Sequence, residues 1–194
     1  MILEGIVTTL NEDGGPNISP MGPIVDREIT QLVLRPYRTS RTYRNLKRAG
    51  AGIFHVTDDV ELLARAAINQ LTTRPPLRAA QAVEGFILKD SCRWYAFRVA
   101  RLDDDDERTR IECPVIDRGR QRDFFGFNRA KHAVVEAAIL ATRTDFLPPQ
   151  QIKDDFQRLA VIVDKTAGDQ ERRAFDLLVR HVREILGGNE HGVA

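Results

Sequence analysis

The spacing of apolar residues changes along the chain: short extended segments dominate up to about residue 127, and helical spacing follows. Runs of β-branched and apolar residues that end in turn signals are typical of antiparallel strands. This pattern predicts strands over Ile2–Leu10, Asn17–Val25, Ile29–Leu34, Ala51–Val56, Gln81–Lys89, Arg93–Leu102 and Arg108–Ile116. Apolar and polar residues alternate in the last of these, which is the period of a half-buried strand.

Two helices are predicted inside this strand-rich part. Ser40 is a good N-cap for a short helix through Ala49, and Gly50 is a good stop signal. The second helix is expected to begin at Asp58, because Asp58 and Glu61 form a capping-box pattern. Its apolar residues keep helical spacing and are Val60, Leu63, Ala64, Ala67 and Leu71.

Beyond residue 127 the pattern predicts helices only. Three start signals divide this part: Asn128 as an N-cap, the pair Pro148-Pro149, and Asp169 after Gly168. The third helix has the clearest amphipathic stripe, formed by Phe175, Leu178, Val179, Val182, Ile185 and Leu186. The last two helices are expected to form an antiparallel hairpin. The sequence therefore predicts a β-rich region over residues 1–127 and a helical region over residues 128–194.

Composition narrows the class of protein. Acidic and basic residues nearly cancel to a net charge of +1, so the molecule as a whole is not a polyanion binder. Cys92 and Cys113 are too few for a disulfide framework or a zinc site and are expected to be reduced, half-buried core thiols. No apolar run approaches the roughly 20 residues that span a bilayer, and the N-terminus lacks the features of a signal peptide. A cytoplasmic protein is expected.

Common catalytic and metal-binding motifs are absent. The sequence contains no G-x-G-x-x-G after a strand, no P-loop, no H-E-x-x-H, no C-x-x-C and no G-x-S-x-G. Four histidines occur at unrelated spacings, namely His55, His132, His181 and His191. The acidic run Asp103–Glu107 is expected to be a solvated turn between two strands, with metal binding as the less favoured alternative. Hydrolase and metal-centre functions therefore receive little support.

One stretch has an unusual charge. Between Ile29 and Thr57 there is no acidic residue, yet the stretch contains Arg35, Arg38, Arg41, Arg44, Lys47 and Arg48. The predicted helix N-terminus at Ser40 offers free backbone N–H groups, and Ser40 and Thr42 add hydroxyl donors. Together with Arg35, Arg38 or Arg41 this would suffice for one phosphate group. The alternative is that Ser40 only caps the helix and the arginines form a solvated face.

The predicted second strand is interrupted. Pro20 and Pro23 lack the N–H group that a strand ladder needs, which indicates an edge or a broken ladder. Gly22 between them allows close access to the backbone. Such a segment can bind a ligand through its free backbone groups, or it can be an irregular edge strand without a ligand.

Motifs in these stretches resemble a known fold family. The order strand, N-x-x-P-M-G, strand, S-x-T-x-x-N-L, glycine, strand is similar to that of the flavin-reductase-like split barrels that bind FMN. More closely, EGIVTTLNEDGGPNISPMGP, LRPYRTSRTYRNL, TDD and FNRAKHAVVEAAILATR resemble the family called domain of unknown function 447, from about residue 3 to residue 187. The resemblance implies an α+β, mainly β fold: a six-stranded, Greek-key-like split β-barrel with an added C-terminal helical region. It also implies FMN bound near a homodimer interface.

The same resemblance assigns cofactor contacts. It places Asn17, Ser19, Pro20, Met21 and Gly22 along the isoalloxazine ring, Arg35, Pro36 and Tyr37 beside the ribityl chain, and Ser40, Thr42 and Asn45 near the phosphate. His55 departs from the pattern, since split-barrel flavoproteins often have asparagine there. A histidine in contact with the cofactor would make the site sensitive to pH.

Three functions are compatible with these observations. The favoured one is an FMN-dependent oxidoreductase that transfers hydride through the flavin, which would explain why no acid–base or nucleophile motif is visible. Lys131 and His132 are candidates for a substrate contact, against the alternative of exposed polar residues on an amphipathic helix. A flavin-binding or carrier module without turnover is the second function. A nucleic-acid binder is the third and least favoured, because the cations are confined to one stretch.

Overall fold

The structure, a computed structural model, describes residues 1–188, so His191 lies outside the described residues. The chain forms two compact units: unit 1 comprises Met1–Asp58 and Arg74–Phe124, and unit 2 comprises Asp59–Thr73 and the chain from Phe125 onward. The observed boundary at Phe124 lies close to the predicted one at residue 127. Residues 59–73, however, were predicted in the β-rich region, and this is wrong because their helix packs among the helices of unit 2.

Unit 1 is built on an antiparallel sheet. Its strands are β1 (Gly5–Leu10), β2 (Pro16–Met21), β3 (Ile24–Val25), β4 (Gln31–Leu34), β5 (Ala51–Val56), β6 (Leu77–Ala79), β7 (Phe86–Leu88), β8 (Arg93–Arg98), β9 (Arg101–Asp103) and β10 (Arg110–Arg120). The order across the main sheet is β2-β1-β5-β8-β10-β4-β3, and β9 pairs with β10. Strands β6 and β7 form a separate hairpin.

The sheet curls into a half-barrel because its two end strands are consecutive in sequence. Only Gly22 and Pro23 separate β2 from β3, which stand at opposite ends of the strand order. The N-terminal segment joins them, since β1 pairs with β2 and Ile2 bridges to Ile24. With β2 and β3 taken as one interrupted strand, and without β9 and the hairpin, the barrel has six strands. The prediction of an interrupted edge strand at Pro20 and Pro23 is confirmed.

Several predicted strand limits were wrong. Residues 81–85 form bends, so Gln81–Lys89 contributes only β7, and β6 was missed. Arg93–Leu102 divides into β8 and β9, which pair with different parts of β10. The third predicted strand starts only at Gln31, because the Asp26 carboxylate accepts hydrogen bonds from the N–H groups of Thr30 (2.7 Å) and Gln31 (3.4 Å) and holds a turn.

Helix α1 (Arg41–Ala49) has the predicted limits. The Ser40 hydroxyl accepts a hydrogen bond from the Tyr43 N–H at 3.2 Å, and Gly50, at φ 64°, ends the helix by donating its N–H to the Leu46 carbonyl at 2.9 Å. The side chains of Tyr43 and Leu46 are buried in the core of unit 1. The helix therefore packs its apolar side on the sheet and exposes Arg41 and Arg44.

Helix α2 (Val60–Ala67) belongs to unit 2 and begins one residue later than predicted. Its N-cap is Asp59, whose carboxylate accepts from the Leu62 N–H at 3.0 Å. Asp58 is instead a buried residue of unit 1 that forms a two-point ion pair with Arg122. The capping box also fails, because the Glu61 carboxylate accepts hydrogen bonds from Arg65 and Arg173.

The rest of unit 2 is helical, as predicted. Its helices are α3 (Arg129–Ala141), α4 (Pro149–Thr166) and α5 (Asp169–Gly188). Asn128 caps α3 by accepting from the Lys131 N–H at 3.1 Å. The apolar sides of α2, α3, α4 and α5 form one core, with Ala137, Ile152 and Leu178 fully buried. No helix in the described part of the chain has the length and apolar character that a membrane crossing requires.

Candidate functional site

Residues from β1, β2 and α1 meet in one hydrogen-bonded group, here called the polar cluster: Thr9, Asn11, Asn17, Thr42 and Asn45. The Asn17 side-chain amide donates to the hydroxyls of Thr9 and Thr42, both at 3.1 Å. The Asn45 amide donates to the Thr9 hydroxyl at 3.0 Å and to the Asn11 carbonyl oxygen at 2.9 Å. Thr9, Thr42 and Asn45 are no more than 5% exposed. Three of the predicted site residues are therefore brought together.

Local structure explains why they meet. In the β1–β2 hairpin Thr9 lies directly opposite Asn17, so both side chains are on the same face. Thr42 and Asn45 are three residues apart in α1 and share one side of the helix. Thr9 and Asn11 were missed from the sequence. The hairpin register could have identified Thr9, whereas nothing in the sequence marked Asn11.

The amide donors of the cluster are fully used. As the amides are oriented, both N–H groups of Asn17 and both of Asn45 are committed to cluster partners. Each amide therefore has only its carbonyl oxygen left for a ligand. The Thr9 and Thr42 hydroxyls accept hydrogen bonds, and within residues 1–188 no acceptor is found for their own protons. Asn45, predicted near the phosphate, consequently has no free donor for an anion.

Ser40 lies one turn earlier than Asn45 and has two roles. Its oxygen caps α1, as the alternative interpretation from the sequence holds. Its hydroxyl proton has no acceptor among the described residues, so the same side chain can still donate outward. The helix start also has no acidic residue in its first turn, which leaves its positive end uncompensated.

The structure separates the cations of this stretch into groups. Arg48 donates to the Leu10 carbonyl, and Lys47 pairs with Asp104 at 2.7 Å, so both hold the fold. Arg41 and Arg44 are exposed. Arg35 differs from all of them, because its Nε is the only buried side-chain nitrogen or oxygen without a hydrogen-bond partner in the described chain. An orphaned charged donor of this kind is costly unless an acceptor is supplied.

The loop from Arg35 to Ser40 is fixed by the β9–β10 turn. Thr109 donates its N–H and its hydroxyl to the Pro36 carbonyl at 3.1 and 2.7 Å, and the Arg38 N–H donates to the Glu107 carbonyl at 2.9 Å. Tyr37 bridges to Arg108, whose guanidinium lies 5.8 Å from the ring centroid. Pro36 is therefore buried in structural contacts, and Tyr37 is exposed beside it.

The acidic run is not only a solvated turn. The Asp104 carboxylate accepts hydrogen bonds from the Tyr43 hydroxyl and from Lys47 on α1. The Lys47 ammonium, together with the Tyr43 hydroxyl, holds the pKa of Asp104 below its ordinary value. The prediction for this turn thus needs correction, because Asp104 anchors the helix that carries Thr42 and Asn45. Among residues 1–188, no three His, Cys, Asp or Glu side chains are grouped to hold a metal ion.

The remaining predicted ring contacts lie farther along β2. Ser19 and Met21 share the face of Asn17, and Pro20 points to the other face. At Gly22 a Cβ atom would fall 2.7 Å from a carboxylate oxygen of Glu4 and 2.8 Å from Ile2 Cγ2. Glycine is needed here because these two side chains cover the backbone. The close approach at Gly22 is thus made within the protein.

His55 is not part of the cluster. It is fully buried in β5, its Nδ1–H donates to the Ile6 carbonyl at 3.2 Å, and its Nε2 accepts from the Leu88 N–H at 3.1 Å. Burial lowers the pKa of His55 to about 4. Both ring nitrogens are used by the backbone, so the suggested contact with a cofactor is contradicted.

Lys131 and His132 lie in unit 2 and differ in their surroundings. The Lys131 ammonium donates to Glu171 at 2.7 Å and to Gln170 at 3.1 Å, and its side chain is only 15% exposed. His132 is exposed, with its ring centroid 6.2 Å from that of Phe127. Lys131 therefore has a structural partner, and His132 is accessible from solvent.

Cys92 and Cys113 are free and fully buried rather than half-buried as predicted. Burial raises the pKa of Cys113 to about 12, so its thiol is not a nucleophile at neutral pH. Cys113 lies in β10, whereas Cys92 precedes β8. Neither contributes chemistry to the polar cluster.

An open groove in unit 1 lies apart from the polar cluster. An open groove of about 560 Å³ lies between the β6–β7 loop, Leu10 and Arg98. Thr8 and Leu10 lie on the face of β1 opposite to Thr9. The groove therefore borders the other side of the strand from the polar cluster.

Two family models match the chain. The model described as protein of unknown function (DUF447), N-terminal domain, matches residues 3–122, and the model described as protein of unknown function (DUF447) matches residues 128–180. Together they cover both the strands that carry the polar cluster and most of the helices of unit 2. No curated protein matches the chain.

Solved structures share the fold. An FMN-bound DUF447 protein from Methanosarcina mazei is 22% identical, with a TM-score of 0.80 over 93% of this chain and 94% of that one. The flavin reductase component of a bacterial two-component tryptophan halogenase is 10% identical, with a TM-score of 0.51 over 63% and 82%. An FMN-binding protein from Thermus thermophilus is 11% identical, with a TM-score of 0.51 over 61% and 70%. The prediction of a split barrel is confirmed.

Proposed function

The chain belongs to the DUF447 family, and on that premise we propose that it is a flavoprotein that binds FMN at the polar cluster. The FMN-bound state of the family member from Methanosarcina mazei supports the choice of cofactor. The observation that carries the proposal is the meeting of Asn17, Thr42 and Asn45 beside the start of α1. These residues come from the two stretches that the family resemblance assigns to ring and phosphate.

The residues present fit such a cofactor. A phosphate monoester needs donors, and the hydroxyls of Ser40 and Thr42 retain their protons for it. The positive end of α1 favours an anion at the same place. Arg35 carries an orphaned buried N–H that an oxygen acceptor of the cofactor would satisfy. Asn17 would present its carbonyl oxygen, an acceptor suited to an N–H group of the ring.

We further propose that the protein is an oxidoreductase. Bound FMN would supply the capacity to accept and donate hydride. The protein's part is then to hold and orient the cofactor, which agrees with a cluster of neutral amides and hydroxyls instead of acids and bases. A homodimer with the flavin near its interface, and a location in the cytoplasm, stay predictions from the sequence. His132 is the accessible member of the predicted substrate pair.

Two alternatives have distinct signatures. A carrier module would bind FMN without turnover, so bleaching of the bound flavin by NADH or NADPH would favour the enzyme. A nucleic-acid binder would use the exposed Arg41 and Arg44, and its affinity would fall steeply with salt. A purified protein that is colourless and takes up no added FMN would overturn the flavoprotein proposal.

The phosphate assignment is tested at Ser40 with two variants that both keep the helix cap. Aspartate and asparagine are N-caps as good as serine, so Ser40→Asp and Ser40→Asn should both fold normally. The added charge of Ser40→Asp should repel the phosphate and weaken FMN binding at least about tenfold relative to Ser40→Asn. Riboflavin, which has no phosphate, should bind both variants equally. Equal FMN affinities, measured by calorimetric titration, would contradict the assignment.

A further inference from the structure

We infer that Thr9, which the family resemblance does not include, is the positioning residue of the flavin site. The inference rests on the proposed function. Thr9 accepts the amide of Asn17 from β2 at 3.1 Å and the amide of Asn45 from α1 at 3.0 Å. Within the polar cluster, it is the residue that hydrogen-bonds both Asn17 and Asn45. One hydroxyl thus joins the strand assigned to the ring to the helix assigned to the phosphate, in addition to the direct hydrogen bond from Asn17 to Thr42.

The role follows from the hydrogen-bond capacity of one oxygen. A threonine hydroxyl has two lone pairs, and Thr9 uses one for each asparagine. Both amides are thereby held with their carbonyl oxygens left over for a ligand. Without this acceptor, each amide would lose one of its two partners and could turn. Asn17 would then no longer be fixed as an acceptor for the ring.

Burial stabilises the hydrogen bonds between Thr9 and the two amides. Thr9 is 3% exposed and Asn45 is 5% exposed, so water does not readily replace a lost partner. Asn11, at the end of the hairpin strand, holds the second N–H of Asn45 at 2.9 Å. The orientation of Asn45 therefore depends on two acceptors, Thr9 and Asn11. Of these, Thr9 also accepts from Asn17.

Thr8 offers a matched control. It is also buried, at 1% exposed, and its hydroxyl donates a single hydrogen bond, to the Phe86 carbonyl at 2.6 Å. It lies on the opposite face of β1, toward the β6–β7 hairpin. Valine at either position keeps the shape of threonine and removes the hydroxyl. Thr9→Val thus removes the acceptor of two hydrogen bonds, and Thr8→Val removes the donor of one on the opposite face of the same strand.

The experiment measures binding of FMN and riboflavin to the full chain, together with the visible circular dichroism of the bound flavin. Thr9→Val should weaken both ligands about tenfold, because misplacing a buried partner at a binding site costs on the order of a factor of ten. The dichroism band should change, since the ring environment is altered. Thr9→Ser, which keeps the hydroxyl, should have the flavin affinity and the dichroism band of the wild type. Thr8→Val should bind flavin like the wild type.

The possible outcomes distinguish failure of the proposed function from failure of the inference about Thr9. If wild-type protein takes up no flavin, the proposed function itself fails. If wild type binds FMN and Thr9→Val binds as Thr8→Val does, the flavoprotein proposal stands and the inference about Thr9 is overturned. Should Thr9→Val not fold, Thr9→Cys, whose sulfur is a weak acceptor, replaces it with the same expected result. Failure of both to fold would show that Thr9 serves stability alone.

Discussion

Two groups of buried and half-buried polar side chains, one in each unit, differ in how many of their donors have an acceptor within the group. In unit 2 the Lys131 network (Lys131, Glu171, Gln170 and Asp59) is closed: Lys131 meets Glu171 and Gln170, and Gln170 donates to Asp59 at 3.1 Å. In the polar cluster of unit 1 the hydroxyl protons of Thr9 and Thr42 have no acceptor in the described chain. The closed group makes its hydrogen bonds within the fold, whereas the open one keeps hydroxyl protons that are available to a ligand.

The physical basis of the difference is the cost of unsatisfied polar groups. A buried donor without an acceptor costs about 1–3 kcal/mol. A folded protein therefore keeps such groups at few places, often where a ligand completes them. Glu171 shows the opposite case: burial opposes its charge, yet hydrogen bonds from Lys131 and the Gly168 N–H hold its pKa below the ordinary value. Its partners are all supplied by unit 2.

The largest expected effect comes from opening the closed network. Lys131→Met leaves the Glu171 carboxylate, 8% exposed, without its cation, and should lower the free energy of unfolding by about 3 kcal/mol. Replacing both partners, Lys131→Met with Glu171→Leu, should recover most of that loss. Chemical denaturation of the three proteins measures both effects.

The FMN affinity of folded Lys131→Met provides the control. Because Lys131 is bound within unit 2, we expect its loss to leave FMN affinity unchanged. A variant with wild-type stability and weakened substrate turnover would contradict this and favour the substrate contact predicted from the sequence.

The difference between local and distant contacts explains how much of the structure could be predicted from the sequence. Periodicity and caps predicted α1 to the residue, because Ser40 and Gly50 act locally. The cap of α2 was misplaced by one residue, because the choice between Asp58 and Asp59 depends on Arg122, distant in sequence. Thr9 was missed for a related reason. Its importance lies in a cross-strand pairing with Asn17, which only the register of the hairpin reveals, and in a contact with α1, which has no signal in the sequence of β1.

His55 likewise became interpretable only through distant partners. Its ring bonds Ile6 and Leu88, which are far from it in the chain. From the sequence it resembled a variable member of the cofactor site. The structure makes it a closed polar group inside unit 1, so the distinction between closed and open groups applies within one unit as well as between the two.

The dependence of stability on pH tests this reading of His55. Its pKa is about 4 in the folded protein and 6.5 ordinarily, so between these values the unfolded chain binds more protons. The stabilisation is fully present above about pH 6.5 and is lost as the pH falls toward 4. Between pH 7 and pH 5, the contribution of His55 to the free energy of unfolding should fall by about 2 kcal/mol.

Urea denaturation at several pH values between 5 and 7 measures the slope. His55→Asn should be less stable at pH 7 and should lack most of the slope, whereas His132→Asn, at an exposed position, should keep it. An unchanged slope in His55→Asn would mean that other groups carry the dependence and that His55 is not held neutral by burial.

The smallest effect on stability is expected at Arg35. It shows most directly whether a buried polar group is completed by the fold or by a ligand. Because Arg35 Nε is buried without a partner, Arg35→Met should leave the stability of the flavin-free protein unchanged or raise it by up to about 1 kcal/mol. The same change should weaken FMN binding, since the acceptor that completes Arg35 would come from the cofactor. Stability and affinity would thus move independently or in opposite directions, unlike the loss of stability expected at Lys131.

Arg44→Met is the matched control, because Arg44 is an exposed cation of the same stretch and should change neither quantity. Thermal unfolding with and without FMN, together with FMN titration, gives all the required values. If Arg35→Met destabilises the flavin-free protein by several kcal/mol, Arg35 is held by the fold itself. Arg35 would then be a structural residue, and the case for a ligand-completed site would rest on the hydroxyls of Ser40 and Thr42 alone.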